Sequence, residues 1–221
     1  MKFILENYIY FFIIDDIFKL MSIDFKKVTQ LGKGDNGVAY LYDNKVYKIT
    51  TDSSEVELAY ILIGEKPRHY VQIFDIFVYD REDGDNNITT ITNNPRYYWV
   101  IVQEYLNTKN NNCYGLYDAV VYFDNNTINN FDFSKNAFEK LIQDYKNDIE
   151  YNFDEDYEDE TLFFLIFIKK LFLDLKKYGI VEIIDLKSTN LGKTITGEFK
   201  FFDLRLTKGI DKDIRNIKQL N

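Results

Sequence analysis

Ile184-Asp185-Leu186-Lys187-Ser188-Thr189-Asn190, followed by Phe201-Phe202-Asp203-Leu204, is the stretch from which the fold of this 221-residue chain is read. A lysine stands two residues after the first aspartate, an asparagine five after it, and a second aspartate thirteen beyond the asparagine. If the chain between them folds as a loop and a tight β-hairpin turned at Gly197, these groups can meet around one metal-bound phosphate. Phosphoryl transfer needs a carboxylate beside the attacking hydroxyl, oxygen ligands for Mg²⁺, and positive charge on the nucleotide phosphates. The residue types suit that chemistry.

Composition sets the frame. The length suits one compact domain or two small lobes sharing a cleft. Phe and Tyr are abundant, so a core large enough to offset chain entropy can be buried. A net charge of −9 and the lack of a long basic face argue against a nucleic-acid coat protein, which would need clustered Lys and Arg. The single cysteine, Cys113, cannot form an internal disulfide and suits a reducing cytoplasm. Abundant Asn, Ile, Lys and Tyr hint at an AT-rich genome, and a viral source would make the location a host cytoplasm.

Residues 1–23 form an apolar extension crowded with Phe, Ile and Tyr. Glu6, Asp15, Asp16 and Lys19 interrupt it, so the uncharged run from Asn7 to Ile14 falls well short of the about 20 residues that span a bilayer. The expectation is a helix or strand packed on the body of the protein, with a membrane-surface or partner-docking segment as the alternative. Met21 offers a second possible start.

From Phe25 the pattern is extended through Val28 and Leu31, then Val38, Tyr40 and Tyr42, then Val46, Tyr47 and Ile49. Asp43-Asn44 reads as a two-residue hairpin loop. Asp52-Ser53-Ser54 offers a helix cap, and Glu55 to Ile63 reads as a helix ended by Gly64. Val71 to Tyr79 and Tyr97 to Tyr105 read as two further strands, separated by a polar excursion from Asp80 to Asn94. Asn107 to Asn112 marks a boundary. Beyond it the chain reads as mainly helical, at Leu116 to Phe123, Ala137 to Ile149 and about Glu160 to Tyr178. The acidic run Asp154 to Glu160 is read as opposing the dipole of the last helix.

Leu31-Gly32-Lys33-Gly34-Asp35-Asn36-Gly37-Val38-Ala39, together with Lys48 in Val46-Tyr47-Lys48-Ile49 and the opening stretch, resembles the eukaryotic-type protein kinase superfamily. The resemblance covers roughly residues 25 to 106 and 160 to 206. It implies an α+β, two-lobed fold: an antiparallel five-stranded N-lobe with one helix (24–106) and a reduced, mainly helical C-lobe (107–221). It further implies that Gly32, Gly34 and Gly37 let the backbone approach phosphates, and that Lys48 contacts the α- and β-phosphates of ATP. A carboxylate must hold that lysine. Glu55 is preferred, because Leu58 and Leu62 continue its face as apolar packing, and Glu57 is the alternate. By the same match Val46 lies beside the nucleotide, Gln103 is the gatekeeper, and backbone groups of Glu104 and Leu106 hydrogen-bond adenine. Asp185 would accept or orient the substrate hydroxyl proton, Lys187 would steady the γ-phosphate, and Asn190 and Asp203 would ligate Mg²⁺. His69, in Pro67-Arg68-His69-Tyr70-Val71, is read as structural.

The chain also departs from the family pattern. Ile183-Ile184 replaces the usual His-Arg, removing an arginine that would pair with a phosphorylated activation loop. Asp203-Leu204-Arg205 carries arginine where the family has a flexible glycine. No Ala-Pro-Glu motif follows, and Ile210, Ile214 and Ile217 suggest one closing helix at most. Three functions compete: a protein kinase acting on Ser or Thr rather than Tyr, with itself among its substrates; a pseudokinase that binds a partner protein; and a small-molecule phosphotransferase. No transmembrane span and no nucleic-acid partner are expected, and the oligomeric state stays open.

Overall fold

A five-stranded antiparallel sheet dominates the first half of the chain. The computed structural model describes residues 12–34, 36–81, 96–109, 114–127, 133–152, 158–180, 183–206 and 217–220. Residues 1–11, Asp35, most of the polar excursion after Asp80, Cys113, the acidic residues 154–157, Ile210 and Ile214 lie outside them. The described chain is α+β, with five α-helices and this one large sheet, and divides into two units. The first unit holds the described residues up to Lys66, Gln72–Tyr105 and residues 217–220; the second holds Pro67–Val71 and the described residues from Leu106 to 206.

In the first unit, β1 (Thr29–Lys33), β2 (Gly37–Tyr42), β3 (Lys45–Thr50), β4 (Ile73–Asp80) and β5 (Tyr97–Glu104) pair in the order β1-β2-β3-β5-β4. Asp43 and Asn44 turn β2 into β3 with φ of +47° and +58°, the left-handed backbone that a two-residue hairpin demands and that Asp and Asn tolerate better than most residues. Between Phe25 and Lys27 the expected strand is instead a short 3-10 turn. Its cause is local: Asp24 accepts the Lys26 N–H at 3.1 Å, so the side chain competes with extended pairing.

Each face of this sheet carries a helix. Residues 12–20 form α1, whose Ile13, Ile14, Ile17 and Phe18 recur at helical spacing and are buried with Val38, Tyr40, Tyr47, Ile49, Tyr98, Val100 and Val102. Phe18 sits at the centre, its ring 5.3 Å from Tyr40, 5.7 Å from Phe25 and 6.1 Å from Tyr47. The polar side of α1 carries Asp15 and Lys19, paired at 2.6 Å. The described part of the N-terminal segment is thus built into the core of the first unit. Strand alternation sends Val46, Lys48, Ile101 and Gln103 to the opposite face, which belongs to α2 (Ser53–Leu62). Asp52 caps α2 by accepting the Ser54 N–H at 3.0 Å, and the helix buries Glu55, Val56, Leu58, Ala59 and Leu62.

Residues 217–220 were expected with the second lobe, Ile217 in a closing helix. They are not helical. Val78 donates its N–H to Lys218 O (3.0 Å) and accepts from Leu220 N–H (2.9 Å), so the segment runs parallel to the free edge of β4.

The second unit is built on α3 (Tyr114–Thr127), α4 (Lys135–Asn152) and α5 (Glu158–Leu175). α5 is apolar on most sides and buries Phe164, Leu165, Phe167, Ile168, Leu171, Phe172 and Leu175. Phe123, Phe133 and Phe138 gather on Phe172 with ring centroids 5.0–5.8 Å apart. Four short strands complete the unit: β6 (Ile183–Ile184) pairs with β9 (Arg205–Leu206), and β7 (Leu191–Lys193) forms a hairpin with β8 (Phe199–Phe201), turned at Gly197 with φ +85°. Among the described residues no helix is long and apolar enough to cross a membrane.

Candidate functional site

Lys48 lies mid-strand on β3, opposite Ala39 of β2 and Ile101 of β5. Its Nζ donates to Glu55 Oε1, and both side chains are nearly buried, 15% and 7% exposed. Glu55 takes this contact because the cap at Asp52 sets the first turn of α2 so that residues 55, 58 and 62 share the inward face. A desolvated pair of this kind holds an ammonium in place, and removing one partner would strand the other. Val46 pairs with Gln103 across β3 and β5, so both share the Lys48 face. Glu104 donates its N–H to Gln72 O (2.9 Å), and its carboxylate accepts the Gln72 N–H (3.2 Å). Any adenine contact from the Glu104 backbone therefore falls to its carbonyl. Leu106 belongs to the second unit, where it packs on Gly192: a Cβ there would sit 2.5 Å from Leu106 Cβ.

The three glycines of the β1–β2 turn divide by their surroundings. Gly34 donates its N–H to Gly37 O (2.9 Å), and Asn36 O accepts from Thr51 N–H (2.9 Å), which ties the turn to the end of β3. A Cβ on Gly37 would meet Ile49 O at 2.5 Å, whereas at Gly32 and Gly34 nothing lies within 4 Å. Gly37 is thus demanded by the strand beside it; Gly32 and Gly34 leave open backbone that a ligand could approach. Gly37→Ala should cost about 1–3 kcal/mol of stability through overpacking. Gly32→Ala and Gly34→Ala, at neither of which φ is positive, should melt as the wild type does, and any stabilisation by added nucleotide should be weaker than in the wild type. Thermal melts with and without nucleotide separate the two behaviours.

The second cluster lies in the β6–β9 region. Asp185 and Asp203 both adopt left-handed backbone, φ +65° and +59°, a conformation that costs most residues more than Asp or Asn. Asn190 holds the two turns together. Its buried side chain donates Nδ2 hydrogens to Asp185 O (2.9 Å) and Asp203 O (3.1 Å), and the main-chain carbonyl of Asn190 accepts the Phe202 N–H (2.9 Å). With the amide nitrogen committed, Asn190 Oδ1 takes only a long contact from the Thr189 hydroxyl (3.4 Å).

The Asp185 carboxylate, 20% exposed, is flanked by two cations: Lys187 Nζ at 2.9 Å from Oδ1 and Arg205 Nε at 2.6 Å from Oδ2. Sequence reasoning treated Arg205 only as a lost glycine. Its pairing with Asp185 follows from β6 and β9 setting Ile184 opposite Arg205, a register that two-residue strands do not announce.

Among the described residues, no group of three or more His, Cys, Asp or Glu is gathered to hold a metal. Asn190 Oδ1 and the Asp203 carboxylate are hard oxygens, the kind of donor that Mg²⁺ takes when phosphate and water complete its shell.

His69, the only histidine in the chain, has a structural setting. Asp174 of α5 accepts the backbone N–H groups of Arg68 (2.6 Å) and His69 (3.1 Å) and pairs with Lys177 (3.0 Å), pinning this loop to the helix. Burial lowers the His69 pKa below its usual value. Asp174 offsets only part of this, lying 3.4 Å from Nδ1 without hydrogen-bonding alignment.

Comparison of the chain with protein-family models and with curated proteins finds no match.

Proposed function

We propose that the chain is an ATP- and Mg²⁺-dependent phosphotransferase with a protein-kinase-like fold, transferring the γ-phosphoryl group to a protein hydroxyl, of Ser or Thr rather than Tyr. The observation that carries the reading is the Asn190 bridge, which joins the backbones of Asp185 and Asp203 through Nδ2 and leaves Oδ1 with only the long Thr189 contact. The Lys48–Glu55 pair, on one sheet face with Val46 and Gln103, supports it independently.

In this reading Lys48 binds the α- and β-phosphates and Glu55 keeps it oriented. Gly32 and Gly34, with open space where a Cβ would sit, let the phosphates approach the backbone, and Gln103, Glu104 O and Leu106 border the base. Asp185 takes the acceptor hydroxyl's proton, and Lys187 steadies the γ-phosphate. Asn190 and Asp203 would hold Mg²⁺, which when bound neutralises phosphate charge.

The test uses purified protein, Mg²⁺, ATP labelled at the γ-phosphorus and a generic protein acceptor. Label is expected on the acceptor or on the chain itself, and EDTA should remove it. No label, together with no Mg-ATP-dependent rise in melting temperature, overturns the reading in favour of a binding module without nucleotide chemistry. Label on small metabolites alone would keep the transfer and change the acceptor.

A further inference from the structure

We infer that Arg205 is a positioning residue: it holds Oδ2 of Asp185, so that Oδ1, the oxygen contacted by Lys187, is the one that receives the acceptor's proton. This rests on the phosphotransferase reading above.

The two cations on Asp185 are not equivalent. Lys187 is 59% exposed, stands two residues from its partner in the same loop, and carries a compact, strongly hydrated charge on a flexible stem. Arg205 is 34% exposed and belongs to a strand whose backbone is paired with Ile184, the residue before Asp185. Leu204 and Leu206 on either side of it are buried, 0% and 6% exposed, and they clamp β9 so that Arg205 projects from the other side. A planar guanidinium on an anchored strand loses little freedom in making its contact. An entering polyphosphate would therefore draw Lys187 off Oδ1 and leave Arg205 on Oδ2.

Asp185 needs such a tie. Asn190 fixes its main-chain carbonyl, but nothing in a left-handed backbone directs the carboxylate itself. With Arg205 on Oδ2, rotation of the carboxylate is blocked and Oδ1 is presented. The step then balances: the acceptor oxygen bonds to the γ-phosphorus, the bond from that phosphorus to the β–γ bridging oxygen breaks, ADP leaves with its electron pair, and the hydroxyl proton passes to Oδ1.

Steady-state kinetics of the full chain test this. Arg205→Ala should lower kcat about tenfold to a hundredfold, the loss expected from a misplaced catalytic group. KM for ATP and the Mg-ATP-induced melting shift should stay within about twofold of wild type, because the Arg205 contact with Asp185 bears on the acceptor's proton and not on ground-state nucleotide binding. Millimolar methylguanidinium should restore part of the lost kcat, and Arg205→Lys should fall between the alanine variant and wild type. Arg205→Gln, which keeps the methylene stem, carries the same test should the alanine variant not fold. Unchanged kcat, or a loss that methylguanidinium does not repair and that tracks a lower melting temperature, overturns the role of Arg205 alone. A wild-type protein that transfers no phosphoryl group overturns the underlying reading instead.

Discussion

Asp185→Asn should reduce phosphoryl transfer at saturating Mg-ATP by about 10²- to 10⁴-fold, the usual contribution of a positioned general base. Asparagine is the informative substitution. It keeps the size of the side chain and the tolerance for the left-handed backbone at φ +65°, so only the charge and the proton acceptor are lost. The two ion pairs that disappear involve partly exposed partners, Lys187 and Arg205, and such pairs contribute about 0.2–1 kcal/mol each. The melting temperature should accordingly fall by only a few degrees, at about 2–4 °C per kcal/mol for a chain of this size. Asp185→Ala adds a backbone penalty and should be the less stable of the two. Initial rates with labelled ATP, read beside a melting curve, decide the matter: transfer within tenfold of wild type in a folded Asp185→Asn protein would remove Asp185 from the chemistry.

Phe18→Ala should cost about 3–5 kcal/mol of unfolding free energy, the range for deleting a large, fully buried aromatic side chain. Phe18 is 0% exposed, and its ring meets Phe25, Tyr40 and Tyr47 at 5.3–6.1 Å, so the cavity left behind is walled by rings on two strands and cannot collapse cheaply. Leu20, 40% exposed on the same helix, supplies the control: Leu20→Ala should stay within about 0.5 kcal/mol. Urea unfolding measures both. Because Tyr47 precedes Lys48 on β3, the proposed function adds a second expectation for Phe18→Ala, weaker Mg-ATP binding. An unchanged denaturation midpoint would mean that α1 contributes little to the sheet.

The two predictions mark where sequence reading succeeded and where it stopped. Turns were legible because a left-handed backbone restricts residue choice: Asp43-Asn44 and Gly197 announce their hairpins by composition alone. The Glu55 contact was legible because helical periodicity ties residue 55 to Leu58 and Leu62. The 3-10 turn at Phe25 was not, since a single hydrogen bond from Asp24 decides between it and a strand. Nor was the state of residues 12–20, whose short apolar run fits either period until its partners are known. Arg205 was missed for the same reason as the route of residues 217–220: both depend on pairing across a long sequence separation, and two to four residues carry too little pattern to reveal it. Gly37 was read for a ligand, and the structure gives it a packing reason as well.

The strip that residues 217–220 lay along β4 has a consequence for biosynthesis. The sheet begins with residues made early, but its last edge is covered by residues made after the whole second unit. A nascent chain therefore carries an unfinished sheet throughout translation of residues 106–206, with the backbone at Val78 open to foreign strands. The earliest-made part of this protein can therefore finish folding only after the whole second unit has been synthesised, not when the first hundred residues emerge.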